Sequence, residues 1–310
     1  MSDIDSTESG QRARPTRRAV LRRGGALAVG AVAAAGSTAL AGCVGRDNGE
    51  TVENDVDPDD PPLIAHRGFA AENPENTVAA VEAASAVVDR VELDVRRCGT
   101  GELVAFHDAT LGRVTDATGR VDETPLGRLS ELSVEDSGEP VPTLAAALDA
   151  APADAWVMLD LKQRGIAADA LSVGADRDLD LAVTADDPAV IEAVSAADPT
   201  VQTVYGVHES IPARALRPVI PGPGIGLGAP RWAYPPQDVA GMVETATELG
   251  CAAVSPRYEL CLRTDLVSRA TEAGLRVLPW TVASAREYEA VATAGVDAVV
   301  SDVSRGRPET

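Results

Sequence analysis

The chain has 310 residues, with 27 Lys+Arg against 48 Asp+Glu, a net charge of −21 and only 3% aromatic residues. That length holds one large domain or two ordinary ones, and an α/β barrel of about 250 residues is a single unit of suitable size. No basic stripe is available to neutralise a phosphate backbone, so the composition excludes nucleic acid as a partner.

The positive charge is almost all arginine, Lys162 being the one lysine. So acidic a surface, solvated by carboxylates, fits a protein that works in concentrated salt. At about 1 M salt the Debye length is about 3 Å, and distant carboxylates then do not keep an anionic substrate out.

The N-terminal stretch Thr16-Arg17-Arg18-Ala19-Val20-Leu21-Arg22 resembles a twin-arginine export signal. Gly24 to Ala41 is small and apolar, and it runs into Leu40-Ala41-Gly42-Cys43, which resembles a lipobox. Residues 1–42 are therefore expected to be removed on export. Cys43 would become the lipidated first residue, anchored to the outer face of the cytoplasmic membrane, with an uncleaved membrane-spanning anchor as the alternative. Residues 1–42 carry six arginines against Asp3, Asp5 and Glu8, so their loss takes the charge from −21 to −24. Residues 43–61 read as an acidic tether, since half of Asp47–Asp60 is acidic and none of it basic.

From residue 62 short apolar runs alternate with Ala-rich helical stretches. Strands are expected at 63–66, 90–95, 156–161, 179–184, 201–206, 252–255, 276–280 and 297–301. Helices are punctuated by Asn76-Thr77, by Pro142-Thr143 and by Asp187-Pro188, with Asn76 expected to cap the first; Gly250, Gly274 and Gly295 follow helical runs. Eight βα alternations without a glycine-rich phosphate loop predict an α/β fold of the (β/α)8 TIM-barrel type over 62–305. Residues 98–141 exceed a bare barrel. They include a hairpin from Leu103 to His107, and an insertion after the second strand lies on the C-terminal face, where barrel enzymes keep their active sites. The Gly- and Pro-rich loop from Pro218 to Pro236 has no role legible in the sequence. Cys98, Cys251 and Cys261 read as small buried residues, and the spacing of the last two allows a disulfide without implying one.

Four polar patches interrupt the apolar runs: His66-Arg67-Gly68, Glu92-Leu93-Asp94, His107-Asp108 and Asp160-Leu161-Lys162. Residues i and i+2 of a strand share a face, so Glu92 points with Asp94 and Asp160 with Lys162. Such charges are costly in a packed core and reasonable at a barrel mouth around a cation and an anion. Glu92, Asp94 and Asp160 match an oxygen-only site for Mg²⁺ or Ca²⁺ better than one for zinc; a metal-free charge network closing the rim is the alternative. His66 and His107 are placed to act as base and acid on either side of a phosphorus, with Arg67 and Lys162 as cations for its oxygens. His208 belongs to none of the patches and is expected to be structural.

Taken in order, these segments resemble the glycerophosphodiester phosphodiesterase family, relatives of phosphatidylinositol-specific phospholipase C. The resemblance rests on His66-Arg67-Gly68, Pro74-Glu75-Asn76-Thr77, Val91-Glu92-Leu93-Asp94-Val95 and Gly101 to Asp108, then on Thr115 to Gly119 and Pro142-Thr143-Leu144. Trp280-Thr281-Val282 and Gly295 to Asp302 complete it. It implies His66 and His107 as the acid–base pair, Glu92, Asp94 and Asp160 as metal ligands, and Arg67 and Lys162 as phosphate contacts. Trp280 is expected to line the substrate pocket, and Glu75 to orient the loop after the first strand. The family usually carries glutamate where this chain has Asp160, so the third ligand is about 1.5 Å shorter in reach.

The resemblance implies metal-dependent hydrolysis of a small glycerophosphodiester to glycerol phosphate and an alcohol. A lysophospholipase D-like phosphodiesterase is a neighbouring possibility. A non-catalytic lipoprotein that binds phosphorylated ligands is an alternative of another class.

Overall fold

Each central strand carries its apolar residues to both faces at its N-terminal end and polar residues inward at its C-terminal end, and this alternation builds the whole molecule. A computed structural model describes residues 60–177, 179–208 and 236–304, all within one compact unit. The expected export signal, Cys43, most of the expected acidic tether and nearly all of the 218–236 loop lie outside those residues.

Eight parallel strands, β1 (Leu63–His66), β2 (Arg90–Arg97), β4 (Trp156–Leu161), β5 (Asp180–Ala185), β6 (Gln202–Val207), β7 (Ala253–Pro256), β8 (Arg276–Val277) and β9 (Val299–Ser301), follow the order β8-β7-β6-β5-β4-β2-β1-β9. The backbone beyond β8 closes the ring: Val300 N donates to Pro279 O at 2.9 Å, Val282 N to Val300 O at 3.0 Å, and Asp302 N to Val282 O at 2.9 Å. This is the expected (β/α)8 barrel. Strand boundaries agree with those read from the sequence to within a few residues, which is the usual scatter of strand ends.

Inward-facing Ile64, Met158, Ala182, Val204, Ala253, Leu278 and Val300 form an apolar plug inside the barrel. Two residues further along the same strands, and so on the same face, come His66, Asp160, Thr184, Gly206, Ser255, Trp280 and Asp302. The floor of the mouth is thus apolar and its wall polar. Outward-facing Ala65, Val91, Leu93, Val157, Leu159, Val183, Val254 and Val299 pack against a helical shell.

That shell comprises α1 (Val78–Ser85), α3 (Leu144–Asp149), α4 (Ala167–Ala175), α5 (Pro188–Ala197), α6 (Val239–Glu248), α7 (Tyr258–Arg263), α8 (Leu266–Glu272) and α9 (Ala285–Thr293). The helix α2 (Leu126–Leu129) lies in the insertion. Thr77, Thr143 and Asp187 cap α1, α3 and α5 through their side chains, each cap worth about 1 kcal/mol. Asn76 is not the cap of α1; its side chain is committed elsewhere. Gly250, Gly274 and Gly295 take positive φ after their helices, as helix ends that turn left-handed require.

β3 (Leu103–Ala105) pairs antiparallel with β2, Val95 opposite Ala105. The rest of the insertion has its own small core of Cys98, Val104, Phe106, Leu111, Val114, Val121, Leu129 and Leu132. It delivers His107 and Asp108 to the barrel mouth. Cys98, Cys251 and Cys261 are all free and buried, so no disulfide joins Cys251 to Cys261.

Candidate active site

A cleft of about 360 Å³ opens at the C-terminal end of the barrel, and all four polar patches contribute to its wall. Asp94, fully buried on β2, is its electrostatic centre. Asn76 donates from Nδ2 to Asp94 Oδ2 at 2.8 Å, and Asp94 N donates back to Asn76 Oδ1 at 3.0 Å. This reciprocal pair, made with Asn76 at φ 58°, is why Asn76 does not cap α1. Arg67 Nε lies 2.9 Å from Asp94 Oδ2, and Lys162 Nζ lies 2.9 Å from Oδ1. Neither contact has hydrogen-bond geometry, so Asp94 Oδ1 is a buried oxygen with no directed partner.

Glu92 and Asp160 complete an acidic triad whose ligand oxygens lie within 4.8 Å of one another. Burial first, then the charges of Asp94 and Asp160, push Glu92 well above the usual carboxylate range. Burial also raises Asp160, against the pull of Lys162. For Asp94 burial is overridden: Lys162 and Arg67 hold its carboxyl far below the ordinary value. Burial would lower Lys162, but Asp94 and Asp160 keep its ammonium charged well beyond its usual range. Among the described residues Arg67 and Lys162 are the cations in direct contact with the triad, and Arg67 is already shared with Glu75 at 3.1 Å. An all-oxygen donor set, a buried carboxylate oxygen that accepts no hydrogen bond and acidic groups pushed up by burial and by crowding against one another together fit a hard divalent cation.

Each histidine of the expected pair has its own carboxylate. His66 Nδ1 lies 2.6 Å from Asp302 Oδ1, and its Nε2 faces Glu92 Oε2 at 3.9 Å. His107 Nδ1 lies 2.6 Å from Asp108 Oδ1. An ionised carboxylate only accepts, so Nδ1 carries the proton in both rings and Nε2 is the working nitrogen. Burial leads in lowering the pKa of His107; Asp94 opposes it, while Arg67 and Lys162 add to it.

The loop after β1 explains its own sequence. Arg67 N donates to Glu92 Oε2 at 3.0 Å with Arg67 at φ 52°. Gly68 follows at φ 80°, and a Cβ there would lie 2.6 Å from Ala80 Cβ, so only glycine fits. Glu75 orients this loop as expected. It accepts from Arg67 and also from Arg113, which comes from the insertion.

Four contributors were not read from the sequence. Asp302 and Asp186 stand two residues beyond inward-facing positions on β9 and β5, and Arg96 continues the Glu92, Asp94 alternation, so the period-two rule reaches all three. Arg96 Nε donates to His107 O at 2.7 Å. His208 is the fourth: expected to be structural, it lines the cleft with its Nε2 2.8 Å from Asp186 Oδ2. Trp280 lines the cleft as expected, its indole NH donating to Ser255 O at 2.8 Å.

The profile of the glycerophosphoryl diester phosphodiesterase family matches residues 66–305. A glycerophosphodiester phosphodiesterase of Caldanaerobacter subterraneus subsp. tengcongensis is 28% identical over 251 residues, which are 77% of this chain and 93% of that one. A phosphodiesterase of Oleispira antarctica, solved in complex with its product sn-glycerol-3-phosphate, is similar at a TM-score of 0.62 and 27% identity, over 78% of this chain and 93% of that one. A Galdieria sulphuraria structure shares the fold at a TM-score of 0.63 and 23% identity, over 79% of this chain and 95% of that one. The profile match spans most of the chain, and every polar patch on which the resemblance rests faces one cleft: the chain belongs to the glycerophosphoryl diester phosphodiesterase family.

Proposed function

We propose that this enzyme hydrolyses a glycerophosphodiester to glycerol phosphate and an alcohol, using His107 as base and His66 as acid beside a divalent metal. The observation that carries the reading is the facing of two carboxylate-held histidines, an acidic triad and two cations in one cleft.

His107 enters neutral, because burial disfavours its charged form, and its Nε2 takes the proton of the attacking oxygen, from water or from a glycerol hydroxyl, as the new P–O bond forms; a cyclic phosphate made in the second case is opened by water. His66 gives a proton to the leaving alcohol oxygen as the old P–O bond breaks, its ring oriented by Asp302 on Nδ1. Arg67 and Lys162 offset negative charge on the phosphoryl oxygens. Glu92, Asp94 and Asp160 would hold Mg²⁺ or Ca²⁺, which when bound lowers the charge at phosphorus and orients the substrate. Glu75 and Arg113 keep the loop after β1 and the insertion in register.

The test is phosphorus NMR of glycerophosphodiester turnover by the parent and by His66→Ala and His107→Ala. Loss of an acid or base typically removes a factor of about 10²–10⁴, and both variants are expected to fall on that scale while keeping the parent's thermal midpoint. Activity of either within a few-fold of the parent rejects the pair.

The sequence around Arg17-Arg18 and Cys43 supports the further proposal that the enzyme is exported and held by a lipid at the outer face of the cytoplasmic membrane. Cys43→Ser is then expected to yield a protein without lipid by mass spectrometry. A lipid-bearing Ser variant would reject the lipobox.

A further inference from the structure

The wall of the cleft on the β6–β8 side has no part in the chemistry above, yet it is built from polar side chains held in place. His208 Nε2 is 2.8 Å from Asp186 Oδ2, and that hydrogen bond holds Asp186 below the usual carboxylate range. Its ring stands edge-on to Trp280, centroids 5.8 Å apart and planes at 88°. Trp280 is pinned through its indole NH on Ser255 O, and the Arg257 guanidinium sits 5.1 Å from its ring centroid. Arg257 is in turn paired with Glu259 at 3.0 Å.

We infer that His208, positioned by Asp186, recognises a hydroxyl on the substrate arm away from the acidic triad, and that this arm is a neutral polyol and not a quaternary amine. The inference rests on the phosphodiester reading above and adds the alcohol class.

Asp186 fixes the proton on Nε2 of His208, which leaves Nδ1 for the ligand. Nδ1 accepts from a hydroxyl when the ring is neutral and donates to one when the ring is charged. A hydroxyl does both, so a polyol pairs with His208 in either state. A trimethylammonium group offers neither a donor nor an acceptor. Its usual recognition is by aromatic faces, and Trp280 is the one indole or phenyl ring lining the cleft among the described residues. That ring already has the Arg257 guanidinium over it and His208 edge-on to it, so its neighbours occupy the place a trimethylammonium would take. An anionic arm gains little either, because Arg257 is already paired with Glu259 and Asp186 stands beside His208.

The experiment measures kcat and KM of the full chain on glycerophosphoglycerol and on glycerophosphocholine, for the parent, His208→Phe and His208→Gln. His208→Phe keeps a ring against Trp280 and removes the hydrogen bond, so a merely packing histidine would tolerate it. The parent is expected to favour glycerophosphoglycerol in kcat/KM by about threefold to tenfold, the size of one net hydrogen bond. In His208→Phe that preference should collapse, through KM for the polyol substrate; His208→Gln, which still pairs with a hydroxyl, should keep part of it. A parent that treats the two substrates alike or favours the choline ester, or a His208→Phe variant with the parent's preference, overturns the inference while leaving the phosphodiester reading intact. Turnover of neither substrate overturns both.

Discussion

Arg113 clasps Glu75 with both terminal nitrogens, Nη1 to Oε2 at 2.8 Å and Nη2 to Oε1 at 2.5 Å. Its Nε holds Asp108, so one arginine from the insertion joins the carboxylate that orients Arg67 to the carboxylate that orients His107. The chain of contacts Arg67, Glu75, Arg113, Asp108, His107 spans the mouth of the barrel. Arg113 therefore sets the geometry of two functional side chains without itself lining the cleft.

Arg113→Met should loosen both at once. Losing an outer partner of a functional side chain costs about 10–100-fold, and kcat is expected to fall in that range with a small change in KM. Arg113 is 44% exposed, so the stability loss should be modest, on the order of 1 kcal/mol and about 2–4 °C in Tm. Parental kcat with a lowered Tm would reduce Arg113 to a structural brace.

The environment of His107 predicts a pH dependence. Its pKa is lowered, mainly by burial, from an ordinary imidazole value of about 6.5. The neutral base thus persists to lower pH, and the acid limb of kcat/KM should fall below about 6.5. Asp108 pulls the other way by stabilising the charged ring. Asp108→Asn should therefore move the limb lower still while reducing kcat. The unfolded chain takes up this proton first, so between the lowered value and about 6.5 folding stability should decline as pH declines. An acid limb above 6.5 in the parent would contradict the assignment of His107 as base.

A net charge of −21 on the whole chain predicts that salt stabilises the fold. Self-repulsion is screened as ions are added, and the thermal midpoint at about 2 M salt should lie well above that at about 0.1 M. Equal midpoints would contradict adaptation to salt.

The barrel was legible because its strands obey two superimposed rules. Alternation separates Leu93 from Glu92 and Asp94, and polarity rises toward the C-terminal end of each strand, as in Met158, Asp160 and Lys162. The immediate sequence neighbours of His208 carry no sign of a site; counting in twos from Val204 through Gly206 places it on the wall. Asn76 differs from the expectation for another reason. Asn and Thr both cap helices well, and what decides between them is that Asp94, 18 residues away, needs the amide of Asn76. The Arg113 hub was beyond reach, because nothing in the local pattern says that an arginine 38 residues from Glu75 will meet it.

The family resemblance leads one to expect glutamate where this chain has Asp160. Asp160→Glu restores the longer ligand, and the metal concentration needed for half-maximal rate should fall or stay put. Asp94→Asn removes a full ligand charge and should raise it. A severe loss on Asp160→Glu would mean that the cluster around Lys162 is built for the shorter side chain.

The central claim is that the triad of Glu92, Asp94 and Asp160 serves a divalent cation in phosphodiester hydrolysis. The most direct measurement is a phosphorus NMR time course on a glycerophosphodiester, with enzyme stripped by chelator and then resupplied with Mg²⁺, Ca²⁺ or Zn²⁺. The phosphomonoester signal should stop growing in chelator and resume with Mg²⁺ or Ca²⁺ more strongly than with Zn²⁺. Turnover that continues unchanged in chelator would contradict it.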